Sequence, residues 1–268
     1  MKLGIAYNLF NGNELLRESI TRLRKHGHYI VLTFQTISNV GNKADNSLQI
    51  AINSLDKALY DDVVEFYPNK QKSPKRNETD KRQLGLLKAK EAKCTHFMSV
   101  DCDEFYRDEE LVNAKNLIIK LGYKSTACEL VNYFHSSKYQ MIEKKRFVPF
   151  ICEIGFFTKF KQEKKLPVNV DSSRVARSDK FYLFPNNKLL MHHMSYVRVN
   201  VDSMKSKLEN SPNNEKFKSF LDDYLNYYQN WTPNLRAMNP HEFKTGEITD
   251  HNIQVEENPI PLAVTFMK

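Results

Sequence analysis

The chain has 268 residues, of which 41% are hydrophobic, 12% aromatic and 27% charged, enough for one α/β domain with a smaller C-terminal addition and unlike an extended disordered protein. Eight glycines argue against a glycine-rich phosphate loop, and lysine plus arginine exceed the acids by 40 to 32. The net charge of +8 suits nucleotide diphosphates, acidic glycans, anionic membranes and nucleic acid alike, and equally a basic surface that serves only solubility, so it selects no partner.

From the N-terminus, Leu3 to Tyr7 is an apolar run, and Leu15, Leu16, Ile20 and Leu23 then recur at helical spacing. A second apolar run, Tyr29 to Phe34, ends in the polar loop 35–43. Leu48, Ile52, Leu55 and Leu59 mark another helix, and Val63 to Tyr67 a third strand. After the basic loop 70–76, a helix is expected over 77–93 with Leu84 and Leu87 inward, followed by a strand from His96 to Val100. This βαβαβαβ order implies a mostly parallel sheet with right-handed crossovers, whose ligands gather at the carboxyl ends of the strands. A helix at 111–121 and strand-like runs at 125–133, 147–157, 180–184 and 189–194 make the second half mixed. From Val201 the pattern is helical, and Phe217, Phe220, Leu221, Tyr224, Leu225 and Tyr228 form a stripe that reads as one buried face.

The four cysteines show no CxxC spacing, which fits a reduced compartment. The start of the chain lacks a signal-peptide pattern and no stretch is apolar enough to span a bilayer, so a cytoplasmic protein is expected, with peripheral contact at the inner membrane face compatible.

The segment THFMSVDCDEFY sets Asp101, Asp103 and Glu104 directly after an apolar strand. Side-chain alternation puts Asp101 and Asp103 on one side and Glu104 on the other. Two such close carboxylates repel unless a cation intervenes, and oxygen ligands select hard ions such as Mg²⁺ or Mn²⁺. A metal there would offset charge developing on a leaving diphosphate. The acids from Asp108 to Glu110 also suit the start of a helix. In LLMHHMSYVR, His192 and His193 are neighbours on a strand, so at most one of them can join the aspartates.

The stretches NETDKRQLGLLKAKEAKCTHFMSVDCDEFY and LLMHHMSYVR resemble those of GT-A glycosyltransferases, in particular bacterial family-2-like enzymes of surface polysaccharide synthesis. The resemblance implies a GT-A, Rossmann-like α/β fold: a catalytic domain over 1–200, divided into a nucleotide-sugar half (1–108) and an acceptor half (109–200), then a helical segment over 201–268. It implies Mn²⁺ or Mg²⁺, a nucleotide-sugar donor with UDP as the default, and a glycan or lipid-linked glycan acceptor, with no nucleic acid. Asp101 would contact ribose or metal, and Asp103 metal and diphosphate. His192 would be the third ligand, since His192, Ser195 and Arg198 follow the family spacing, with Arg198 facing the diphosphate. Arg82 would reach the donor's phosphates or base, a surface salt bridge being the other reading. Asn8, Phe10, Gln35, Ser38 and Asn39 would border the base, although FQTISNVGN replaces the family's usual acidic pair. For inverting transfer a carboxylate must take the acceptor's proton, and Asp171 and Glu153 are the candidates; a turn or cap explains Asp171 equally well.

Two other classes compete. A sugar-phosphate nucleotidyltransferase would need a glycine-rich N-terminal loop, which LGIAYNLFNGNE lacks. A non-enzymatic glycan- or nucleotide-binding protein would not need the acidic turn.

Overall fold

The computed structural model describes residues 1–10, 13–161, 165–211, 213–235, 237–241 and 243, and the backbone of 254–257. The expected C-terminal segment therefore lies partly outside the described residues.

β1 (Leu3–Leu9) is buried along nearly its whole length, as a strand covered on both faces must be. α1 (Leu16–Arg24) covers one face through Leu16, Ile20 and Leu23. β2 (Tyr29–Phe34), α2 (Ser47–Asn53) and β3 (Asp62–Glu65) follow. α3 (Pro74–Glu91) starts with Pro74 in its first turn and the Ser73 side chain accepting from the Arg76 amide. β4 (His96–Val100) then joins β1, giving four parallel strands in the order β3-β2-β1-β4. The parallel half expected from the sequence is present.

The phase of α3 is not the expected one. Leu86 and Ala89 are fully buried, whereas Leu87 is 44% exposed. The cause is close approach: a Cβ on Gly85 would stand 2.5 Å from the Ala6 Cβ, and one on Gly4 2.6 Å from the Ala89 Cβ. Gly85, Leu86 and Ala89 are therefore the inward positions, in place of Leu84 and Leu87. The same phase turns Asn77, Lys81 and Arg82 inward near the start of the helix.

The second half is mixed, as expected. β5 (Glu104–Phe105) and α4 (Asp108–Leu121) lead to β6 (Ser125–Phe134), β7 (Tyr139–Ile142) and β8 (Arg146–Glu153). β8 runs antiparallel between β4 and β6. β9 (Phe181–Leu183) and β10 (Leu190–Tyr196) lie parallel to β6, and β10 also pairs with β5. α5 (Val201–Glu209), α6 (Asn214–Phe217) and α7 (Leu221–Gln229) end the helical part, and β11 (Gln254–Glu257) pairs with β7. Phe217, Tyr224, Leu225 and Tyr228 pack with Phe134, Tyr196, Met204 and Trp231, so the aromatic stripe is a buried face. No helix among the described residues is long and apolar enough to cross a membrane.

Candidate active site

The carboxyl ends of β1, β2 and β4 open into a cleft of about 300 Å³. Asn8 near the end of β1 and Phe10 just after it line the cleft, with Gln35, Ser38 and Asn39 after β2, and Asp101, Cys102 and Asp103 after β4. Glu78 and Lys81 enter from α3, His193 and Arg198 from the end of β10 and beyond, Lys207 from α5 and Asn210 from its C-terminal cap. The polar loop residues named from the sequence thus share one cleft with the acidic turn.

The turn itself departs from simple alternation. The chain leaves β4 in a tight turn closed by the Glu104 amide on the Asp101 carbonyl at 3.2 Å, and this swings Asp101 and Asp103 toward different cations. Asp101 accepts from Arg82 at 3.2 Å and from Arg174 at 2.7 Å. Burial opposes its charge, but Arg82 and Arg174 more than offset that and hold the carboxyl below its usual range. With both oxygens taken by guanidinium groups, Asp101 fits the expected role of metal ligand poorly. Glu104, 2% exposed, shares Arg174 and also accepts from the Asp101 amide at 3.2 Å. Burial raises its pKa, with Arg174 opposing and Asp101 adding to the rise, so it is the easier of the two carboxyls to protonate.

Asp103 lies across the cleft. Its Oδ2 accepts from Arg198 at 2.6 Å and Lys207 at 3.1 Å, while its Oδ1 faces His193 Nε2 at 3.6 Å. Burial disfavours its charge, yet the Lys207 and Arg198 cations hold it far below the carboxylate norm.

The register of β10 decides between the two histidines. His193 stands opposite Asn132 and Glu104, His192 opposite Val131 and Phe105. His193 Nδ1 donates to Asn132 Oδ1 at 2.8 Å, and the Asn132 amide donates to Glu143. That orientation fixes the tautomer and leaves the Nε2 lone pair aimed at Asp103. His192 is instead 2% exposed on the opposite face, its Nδ1 bonded to the Tyr133 hydroxyl at 2.7 Å. Burial, aided by Arg107, lowers its pKa to about 4. The family spacing selected His192; the pleat of the strand gives the cleft to His193.

Asp103 and His193 therefore form a mixed O/N donor pair, of which the carboxylate is the member suited to Mn²⁺ or Mg²⁺. Among the described residues no three His, Cys, Asp or Glu side chains group as a complete metal site. The pair fits an ion whose remaining ligands come from phosphates and water, the usual manner of holding Mg²⁺ with nucleotides.

The remaining candidates fall elsewhere. Arg82 is 2% exposed and bound to Glu78 at 2.9 Å, Ser99 at 2.7 Å and Asp101, so it is neither a surface salt bridge nor a cleft-lining cation. Lys81, one residue earlier and 3% exposed, takes that position, its ammonium 3.3 Å from the Leu9 carbonyl and its pKa lowered by burial to about 8. Arg198 lines the cleft and is held there by Asp103 and, at 3.4 Å, by Glu14. Asp171 caps the short 3-10 helix Ser172–Arg174, accepting from the Ser173 amide at 3.0 Å and its hydroxyl at 2.7 Å. Glu153 pairs with His96, at the amino end of β4 and so at the opposite end of the sheet from the cleft, and binds Arg177 at 2.9 Å. Neither acid lines the cleft.

Sequence reasoning missed Lys81, Asn132, Glu143, Lys207 and Asn210. Lys207 carried a signal: Met204 and Leu208 are buried core positions of α5, and a lysine between them on that face must find an anion.

No family model matches the chain, and no curated protein matches it. Solved structures similar to it include S. aureus TarS (TM-score 0.45, 13% identity, 78% of this chain and 38% of that one). Another is S. aureus TarS 1-349 in complex with UDP-GlcNAc (0.44, 13%, 78% and 66%). A third is mannose-1-phosphate geranyltransferase from Thermus thermophilus (0.33, 10%, 55% and 50%). The chain thus spans 38% of TarS and 65% of its 1-349 fragment.

Proposed function

We propose that this chain is a metal-dependent glycosyltransferase that moves a sugar from a nucleotide-sugar, with UDP as the favoured nucleotide, to a hydroxyl of a glycan acceptor. The observation that carries the reading is the make-up of the cleft. At the carboxyl end of a parallel sheet, uncharged polar loops (Asn8, Gln35, Ser38, Asn39) adjoin an Asp103–His193 pair and the cations Lys81, Arg198 and Lys207.

In this reading the loop residues and Phe10 hold the base, and Asp101, fixed by its two arginines, receives the ribose hydroxyls. Asp103 Oδ1 and His193 Nε2 hold the divalent ion, which when bound supplies Lewis-acid stabilisation of the leaving diphosphate. Lys207 and Arg198 keep Asp103 ionised and present their remaining N–H groups to the phosphates. Asn132 and Glu143 hold His193 in the liganding tautomer. The same chemistry suits the cytoplasmic setting and the polysaccharide role expected from the sequence.

Calorimetric titration of UDP with and without Mn²⁺ tests the reading. UDP should bind tightly only with the metal, and Asp103→Ala should remove the metal-dependent part. Failure of UDP, GDP and CMP alike to bind in the presence of Mn²⁺ would refute it.

A further inference from the structure

At the end of the sheet opposite the Asp103–His193 cleft, β8 finishes beside the amino end of β4 and the chain turns at once. The Thr158 amide donates to the Gly155 carbonyl at 3.1 Å, which places Phe156 and Phe157 at the two central positions of the turn. The Thr158 hydroxyl closes it a second time, accepting from the Gly155 amide at 2.8 Å and donating to the Glu153 carbonyl at 3.2 Å. Lys90 donates to the Thr158 carbonyl at 2.7 Å, and Phe160 is buried against Phe97 with its amide donating to Gln83 at 2.9 Å. The turn is thus anchored on both sides. It holds the Phe156 and Phe157 rings in water, 91% and 83% exposed and 4.9 Å apart, more exposed than any other large hydrophobic among the described residues. Central turn positions ordinarily carry polar residues, glycine or proline, and two phenylalanines fixed there add nothing to the core.

We propose that this turn docks the chain on an anionic lipid bilayer, with both rings inserted below the headgroups and the surrounding lysines against them. Charge selects the partner. Lys159 and Lys161, just after the turn, are exposed. Backbone hydrogen bonds gather further lysines at the same end of the sheet: the Ile154 amide donates to Thr95 and the Thr95 amide to Lys2, while the Glu153 amide donates to Lys124 and the Lys124 amide to Lys180. Lys2, Lys93 and Lys180 are exposed there as well. The acids on this side are already paired: Arg177 binds Glu153 and Asp179, each at 2.9 Å, and Lys88 binds Glu91 at 3.2 Å. The exposed lysines are therefore in excess, and lysines close to an anionic bilayer are each attracted to it. A second copy of the chain fits less well. Two rings bury roughly 300–500 Å², short of the ~800 Å² per partner of a stable interface, and a symmetric contact would set the same lysines against one another. A bilayer accepts protruding rings without a matching surface. Docked in this way, the chain turns the carboxyl ends of β1, β2 and β4 away from the lipid and leaves the cleft open to a water-soluble ligand.

The test is co-sedimentation of the full chain with vesicles of phosphatidylcholine alone and of phosphatidylcholine mixed equally with phosphatidylglycerol, in the absence of nucleotide, so that the outcome is independent of the donor reading. The chain should bind the mixed vesicles in preference to the neutral ones, and more weakly as salt is raised. Phe156→Ser combined with Phe157→Ser, both at exposed positions, should weaken that binding about tenfold or more with thermal unfolding unchanged. Lys159→Gln combined with Lys161→Gln should weaken it and flatten its salt dependence. Phe156→Trp reports insertion directly: its indole should be quenched by lipids brominated on the acyl chain, whereas the single natural tryptophan, Trp231, is buried and should respond little. No binding to the mixed vesicles, binding indifferent to loss of both rings, or an unquenched indole in Phe156→Trp would overturn the proposal. A dimer in sedimentation equilibrium that the paired serine substitutions dissolve, without vesicle binding, would give the patch to a second copy instead.

Discussion

Replacing each of the two adjacent histidines in turn separates metal holding from fold support. His193 is about a quarter exposed and touches Asn132 and Asp103, so His193→Ala removes little packing but one of the two protein donors facing the ion. Loss of a supporting residue alone costs about 10- to 100-fold in metal affinity, and loss of a ligand should cost at least that, about 1.4–2.7 kcal/mol. His192→Ala removes a buried ring and its hydrogen bond to the Tyr133 hydroxyl. A broken buried hydrogen bond costs about 1–3 kcal/mol, which at a midpoint of about 2 kcal/mol lowers Tm by roughly 4–8 °C in a chain of this size. The assay pairs thermal unfolding with Mn²⁺ binding followed by electron paramagnetic resonance in the presence of UDP. His193→Ala should weaken Mn²⁺ with Tm nearly unchanged, and His192→Ala should lower Tm with Mn²⁺ affinity intact. The reverse pattern, in a folded protein, would refute the strand-register argument.

Three further outcomes follow from the same structure. His192 has its pKa depressed by burial to about 4 from 6.5, so the stability it confers is fully present above about pH 6.5 and is lost as pH falls toward 4, at up to about 1.4 kcal/mol per unit. Urea unfolding of the unmodified chain and His192→Gln between pH 4 and 7 should therefore show their stability difference change with pH, and parallel curves would contradict the assignment. Arg174→Met strips buried Glu104 of its cation and should cost about 3–5 kcal/mol at neutral pH, measured by denaturant unfolding, with the loss shrinking in acid as Glu104 protonates. Gly85→Ala forces a Cβ to 2.5 Å from the Ala6 Cβ and should destabilise by about 1–3 kcal/mol in thermal unfolding despite the better helix propensity of alanine.

The sequence alone determined what depends on local order and residue type. The alternation of apolar runs with helical spacings implied a parallel half, because a buried parallel strand and an amphipathic helix each carry their own period, while the order β3-β2-β1-β4 came from the tertiary pairing. The position of DCDEFY after the fourth strand, together with the loops after Tyr7 and Phe34, marked the cleft, because ligand sites in such sheets follow the strand ends. The tertiary structure decided everything that turns on rotation by one residue. Whether Lys81 or Arg82 faces the cleft depends on how closely Gly85 and Ala89 let α3 approach β1, a packing distance no spacing rule contains. Whether His192 or His193 meets Asp103 depends on which face of β10 turns toward Asn132, which is set by pairing with β5 and β6, strands distant in sequence. The same long-range pairing carried Glu153 to the far end of the sheet, while the cations Arg174 and Lys207 were assigned to Asp101 and Asp103 by contacts spanning 73 and 104 residues.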